Sequence, residues 1–94
     1  MVLLGFKQDT TDQTIESLIQ QFSDLQYKIP QIKAFEWGTD ISPEGLQNGH
    51  THAFLLTFAS EQDRDIYLPH PDHTAFADTV TPYVATVTVV DYWA

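Results

Sequence analysis

The sequence predicts an α+β domain of order β-α-β-β-α-β, a four-stranded antiparallel sheet with its helices on one face, the ferredoxin-like arrangement. Three observations predict it. Apolar runs suited to strands open and close the chain and fill its middle, with two helical periodicities between them. Each helical stretch is entered through a Thr or Ser at capping distance and ends beside a proline. The first and third strands are apolar on both sides, as expected of inner strands.

Val2–Lys7 reads as the first strand. Gln8-Asp9-Thr10 leads into a helix over 11–28, where Thr10 and Gln13 have capping-box spacing and Asp12 suits the positive helix end. Ile15, Leu18, Ile19, Phe22 and Leu25 form one apolar stripe, and Pro30 stops the helix. Ile32–Gly38 is the second strand, rich in β-formers. Thr39–Gly49, with Ser42-Pro43-Glu44-Gly45 and Asn48-Gly49, is a loop by composition. His50–Phe58 is the third strand, with His52, Phe54, Leu56 and Phe58 on one face and Thr51, Ala53, Leu55 and Thr57 on the other. Ser60 with Asp63 opens the second helix, which runs through Tyr67. A further short helix, Thr74–Thr81, turns Phe76 and Val80 inward. Tyr83–Tyr92 closes the sheet, with Val87, Val89 and Asp91 on one face and Thr86, Thr88, Val90 and Tyr92 on the other.

With 94 residues, the chain forms one small domain with a single core. Formal charge is −9, and the only basic side chains other than histidine are Lys7, Lys28, Lys33 and Arg64, which excludes nucleic acid and an anionic bilayer as partners. No apolar run approaches the length of a membrane span. The chain has no cysteine, so disulfides, thiol catalysis and Cys-ligated zinc are excluded, which fits a cytoplasmic protein. Helices on one face leave the other bare, with Leu55, Ala53 and alternate residues of Val2–Phe6 uncovered. A second copy of the same sheet is the simplest cover, so a homodimer through sheet faces is expected.

The candidate site is Tyr67-Leu68-Pro69-His70-Pro71-Asp72-His73. Pro69 and Pro71 push Leu68 and His70 out of helical geometry, so one helix ends near Leu68 and another begins after Pro71. Tyr67 then lies on the last turn before the break and His73 on the first turn after it. A phenol beside an imidazole is a candidate acid/base pair. The alternative is a packed corner whose polar atoms serve the backbone. The pairs His50/His52 and His70/His73 read as neutral, hydrogen-bonded histidines rather than metal ligands, since Pro71 spoils helical spacing in the second pair. Asp40, Glu44, Glu61, Asp63 and Asp65 are too scattered to form a carboxylate pair.

Six motifs in order cover essentially the whole chain. They are Ile29-Pro30-x-Ile32, Phe35-Glu36-Trp37-Gly38, Ser42-Pro43-Glu44-Gly45-Leu46, Gly49-x-Thr51-His52, Tyr67-x-x-His70-Pro71-x-His73 and Val90-Asp91-Tyr92. Together they resemble the stress-responsive A/B barrel (Dabb) family. The resemblance implies a dimeric α/β barrel made of two ferredoxin-like subunits. One family member is a plant polyketide cyclase working without metal or cofactor. By that likeness Tyr67 and His73 are the catalytic pair, His73 as base and Tyr67 as support for an enolate oxygen. His52 and His70 match its pocket histidines. The expected ligand is small, partly apolar or an enolisable carbonyl compound, held between helices and sheet near His52, Phe54, His70, Val87 and Val89. Ser23 and Asp24 stand where that cyclase is apolar, which implies a missing acyl-chain tunnel. The family also includes stress proteins with no known catalysis, so a non-enzymatic stress or assembly role is the second expectation.

Overall fold

The computed structural model describes residues 1–94. Its elements are β1 (Val2–Phe6), α1 (Asp12–Lys28), β2 (Ile32–Thr39), β3 (His52–Phe58), α2 (Glu61–Tyr67), α3 (Pro71–Val80), a 3₁₀ turn (Thr81–Tyr83) and β4 (Val84–Val89). The sheet order is β2-β3-β1-β4, with every neighbouring pair antiparallel. This is the expected ferredoxin-like sheet with the helices on one face. No helix is long and apolar enough to cross a membrane.

Several boundaries move, each for a local reason. Thr10 is not the first cap. Its amide closes a turn onto the Lys7 carbonyl at 3.0 Å, and Thr11, in extended geometry, accepts the amide of Thr14 instead. Ser60 caps α2 through the amide of Asp63, as its spacing predicts. The helix after the break begins at Pro71 rather than Thr74, because proline at the first helical position gives up an amide that the helix does not use. β3 starts at His52, not His50. Asn48 and Gly49 adopt positive φ (55° and 81°), and the turn they make leaves His50 outside the strand. Pro82 sits in the 3₁₀ turn that delays β4 to Val84, and Asp91 leaves the sheet toward Arg64, so the strand ends short of Tyr92.

The strand register sorts side chains by face. Val2 pairs with Phe54 and Val89, and Leu4 with His52 and Val87, so all six share one face. That face meets the helices: Leu4 and Phe54 are buried with Leu18, Ile19, Phe22, Leu25, Ile29, Ile32, Tyr67, Phe76 and Val80. Phe22 is the hub, its ring 4.9 Å from Phe54, 4.8 Å from Phe76 and 5.2 Å from Phe35. α1 lies over β2 and against α3, and α2 over β2 and β3. No helix packs closely over β4, so Val87 and Val89 are 59% and 60% exposed although they point to the helical side. The opposite face carries Leu3, Ala53 and Leu55, half-buried and covered by no helix.

Gly5 marks a close approach. The loop before β3 crosses the bare face there, and a Cβ on Gly5 would collide with the Gly49 carbonyl oxygen and stand 2.5 Å from Thr86 Oγ1. The colliding atoms are backbone and a sheet side chain, so neither yields easily. Overpacking of this kind costs about 1–3 kcal/mol. Gly5→Ala is therefore expected to lower the melting temperature by at least roughly 4 °C, read by circular dichroism.

Candidate functional site

The site is built at the break between α2 and α3. α2 closes with the Leu68 amide on the Arg64 carbonyl, which holds Leu68 in helical geometry (φ −56°, ψ −48°) against the expectation from Pro69, and the His70 amide donates to the Tyr67 carbonyl at 3.1 Å. His70, extended before Pro71 (φ −59°, ψ 134°), caps α3: its Nδ1 accepts the Asp72 amide at 3.1 Å. An Nδ1 that accepts an N–H has no proton to offer the Asp72 carboxylate 3.8 Å away, so that contact is not an ion pair.

His73 Nδ1 lies 2.8 Å from the Leu68 carbonyl oxygen. A carbonyl only accepts, so Nδ1 carries the proton. In the neutral ring Nε2 is then the basic nitrogen, and it has no partner in the chain. The His73 ring lies tilted against Tyr67, 37° between planes and 4.2 Å between centres, and the other neighbour of Tyr67 is Phe58 at 5.1 Å. Tyr67 is only 6% exposed. Its hydroxyl makes no hydrogen bond within the chain, yet it is not sealed, because the one fully enclosed side-chain polar atom without a partner is Thr86 Oγ1. Burial first, and the Asp91 carboxylate second, push the Tyr67 hydroxyl well above the ordinary phenol range. It is a hydrogen-bond donor at any physiological pH.

The remaining candidates sit apart. His52 faces the helices at the far end of β3, six residues or about 20 Å along the strand from Phe58. Its ring meets Phe6 edge-on at 5.2 Å and stacks at 6.2 Å on Trp37, and Nδ1 lies 2.8 Å from Thr51 Oγ1. Desolvation lowers its pKa below 6.5. Phe54, 1% exposed, fills the space between the two ends. Val87 and Val89 line an open strip on the same face. His50 lies on the other side of the sheet, bonded to the Gln47 carbonyl at 2.8 Å and to Thr88 Oγ1 at 3.0 Å. So Tyr67, His70 and His73 come together, while His52 joins a separate aromatic group.

Arg64 and Asp91 belong to the site and were not singled out from the sequence. Arg64 stands one turn before Tyr67 on α2, and its Nη1 is 3.5 Å from Asp91 Oδ2. The three-residue spacing and the shared face of Val87, Val89 and Asp91 are the signals that point to them. Two open hollows, about 460 Å³ between α1 and the end of α3 and about 380 Å³ on the bare sheet face, include neither Tyr67 nor His73. No three His, Asp or Glu side chains converge as a metal site would require.

The family profile for the Stress responsive A/B Barrel Domain matches residues 1–94. The chain is 38% identical to the stress-response A/B barrel domain-containing protein HS1 of Arabidopsis thaliana, over 98% of this chain and 84% of that one. It is 28% identical to olivetolic acid cyclase of Cannabis sativa, over 98% and 91%. The solved structure of hydroxynitrile lyase from Passiflora edulis is similar with a TM-score of 0.91 at 30% identity, covering 97% of this chain and 86% of that one. Dimeric ferredoxin-like proteins of unknown function from Thermobifida fusca and Jannaschia share the fold, with TM-scores of 0.76 and 0.85 at 24% and 21% identity. They cover 93% and 99% of this chain, and 80% and 94% of their own.

Two outcomes follow from the histidines. His70→Ala removes the α3 cap and is expected to cost about 1 kcal/mol, a fall in melting temperature of roughly 4–8 °C. His70→Asn, which keeps a capping acceptor, recovers most of it. For His52, the unfolded chain binds the proton more readily than the folded one, so its contribution is full above pH 6.5 and is lost as pH falls below that value. Melting curves between about pH 7 and 5 should decline more steeply for the natural chain than for His52→Gln.

Proposed function

The chain belongs to the stress responsive A/B barrel family, and on that premise we propose that it is a homodimeric acid/base protein acting on a small, partly apolar, enolisable carbonyl compound without metal or cofactor. One observation carries the reading: His73 holds its proton on the Leu68 side and has a free Nε2, in a ring 4.2 Å from that of Tyr67, whose hydroxyl has no partner of its own. In the reaction, His73 Nε2 takes the proton from the carbon next to the carbonyl. The electron pair of that C–H bond moves to the carbonyl oxygen, and the Tyr67 hydroxyl donates a hydrogen bond to the resulting enolate. The enolate carbon then attacks a second carbonyl, and protonated His73 returns its proton to the new alkoxide. This is the aldol closure of a polyketide-cyclase-like reaction. Phe54 packs solidly beneath the site, and the exposed Val87 and Val89 offer the open side from which a partly apolar molecule approaches. His52 lines the distant end, and His70 shapes the break. The names of the cyclase and the lyase among the relatives fit proton-transfer chemistry on this fold. A cytoplasmic location goes with the absence of cysteine.

A second reading rests on the same corner. His70 and His73 each satisfy a backbone group, which suits a stress or assembly protein with structural histidines. Proton exchange separates the two. The natural chain is expected to speed deuterium incorporation next to the carbonyl of neutral β-keto esters by roughly 10²-fold or more over buffer, read by NMR. Tyr67→Phe removes a hydroxyl with no partner, so it should melt as the natural chain does while losing the acceleration. His73→Ala should lose it too. No acceleration by the natural chain across a panel of enolisable ketones, esters and thioesters overturns the catalytic reading.

The dimer has its own check. We infer that the bare sheet faces meet, with Leu3, Ala53 and Leu55 at the contact. Light scattering should give twice the 10.7 kDa chain mass at micromolar concentration. Leu55→Lys should shift it toward the monomer, because an unpaired charge resists burial.

A further inference from the structure

The segment that carries Tyr67 and His73 is unequal in charge. From Ser60 onward the chain contributes six carboxylates, Glu61, Asp63, Asp65, Asp72, Asp78 and Asp91, against a single basic side chain other than histidine, Arg64. That one cation is occupied twice. Its Nη2 lies 3.2 Å from Asp65 Oδ1, and its Nη1 lies 3.5 Å from Asp91 Oδ2. Asp91 also faces the Met1 amino group at 3.7 Å. Arg64 and Tyr67 are three residues apart on α2 and so share a face of the helix. The ion pair therefore fastens the end of the sheet to α2 next to the tyrosine. Its partners are one-third to two-fifths exposed, and the Asp91 carboxylate acts on the Tyr67 hydroxyl, helping to hold it protonated.

We propose that Asp91 is a specificity-determining residue of this site, selecting neutral over anionic carbonyl compounds. It acts in two ways. It engages both nearby cations that could receive a carboxylate or phosphate, the Arg64 guanidinium and the Met1 amino group, and it keeps a negative charge that acts on the hydroxyl that must steady the enolate. An anionic ligand would have to displace Asp91 from Arg64 or lie against it, and both cost binding that a neutral ligand keeps. The inference rests on the Tyr67/His73 reading and deepens it.

The test uses two probes with the same β-keto group, methyl acetoacetate and the acetoacetate anion, titrated into isotopically labelled protein and followed by NMR. At low salt the neutral ester should perturb resonances at Tyr67 and His73, and the anion should bind about tenfold more weakly. Asp91→Asn should bring the two within roughly twofold of each other, and Asp78→Asn should leave the ratio unchanged. In the natural chain, added salt should narrow the gap without any mutation. Equal binding of the two probes to the natural chain, tighter binding of the anion, or a ratio indifferent to Asp91→Asn overturns the role of Asp91 while leaving the acid/base pair standing. Binding of neither probe near Tyr67 and His73 overturns the site itself, and the inference with it.

Discussion

Two missing amide hydrogens govern this molecule. Pro69 and Pro71 cannot donate to a helix, and although Leu68 before Pro69 keeps helical geometry, His70 before Pro71 is forced extended. A continuous helix from Glu61 to Val80 would have carried Tyr67 and His73 six residues apart, on different faces. The break folds the second segment back, so that His73 reaches the Leu68 carbonyl left free at the end of α2. His70, between the prolines, takes the amide that opens α3. The close approach of the Tyr67 and His73 rings at 4.2 Å is thus a consequence of backbone chemistry.

The rest of the fold supports that corner from below. β3 carries Phe54 and Phe58 on its helical face, and the pair spans the distance from the Phe22 hub to Tyr67. With Phe54 so fully enclosed, the helix–sheet space is solid at its centre. The two ends are chemically distinct as a result. At one end a tyrosine and a histidine have free polar atoms; at the other His52 is enclosed by Phe6 and Trp37 and kept neutral by desolvation. Because α1 and α2 lie over β2 and β3, the helical face of β4 stays open, and that opening lies on the side where Asp91 meets Arg64.

Much of this was legible in the residues. The order of elements, the apolar stripe of α1 and the faces of β3 follow from periodicity, which tertiary packing reinforces here. The break was legible because proline acts locally. What sequence hid was set by contacts between distant segments. Thr10 and Thr11 have equal chemistry, and a turn onto Lys7 chose between them. His50 and His52 are two apart, a spacing that places both on one face of a straight strand, but the left-handed Asn48 and Gly49 divert the first to Thr88. The shared pocket expected for His52 with Tyr67 depended on the size of Phe54, which fills rather than lines the space. Arg64 and Asp91 are 27 residues apart in sequence, and only the sheet register and the helix phase bring them together.

Four histidines in one small chain show why residue type alone does not assign a role. His50 is bonded at both ring nitrogens and has none to spare. His70 accepts at Nδ1, so its capacity is used inside the backbone. His52 is bonded at Nδ1 to a hydroxyl, a partner that gives or takes a proton and so leaves the tautomer open. His50 and His73 each meet a carbonyl, which only accepts and so fixes the proton on Nδ1, but His73 alone of the two leaves a base at Nε2 without a partner. A nitrogen made basic in this way, next to a phenol that stays protonated, is a chemical distinction that the shared fold does not supply. It lies in one carbonyl oxygen, that of Leu68, left free because the Asp72 amide goes to His70 Nδ1 instead.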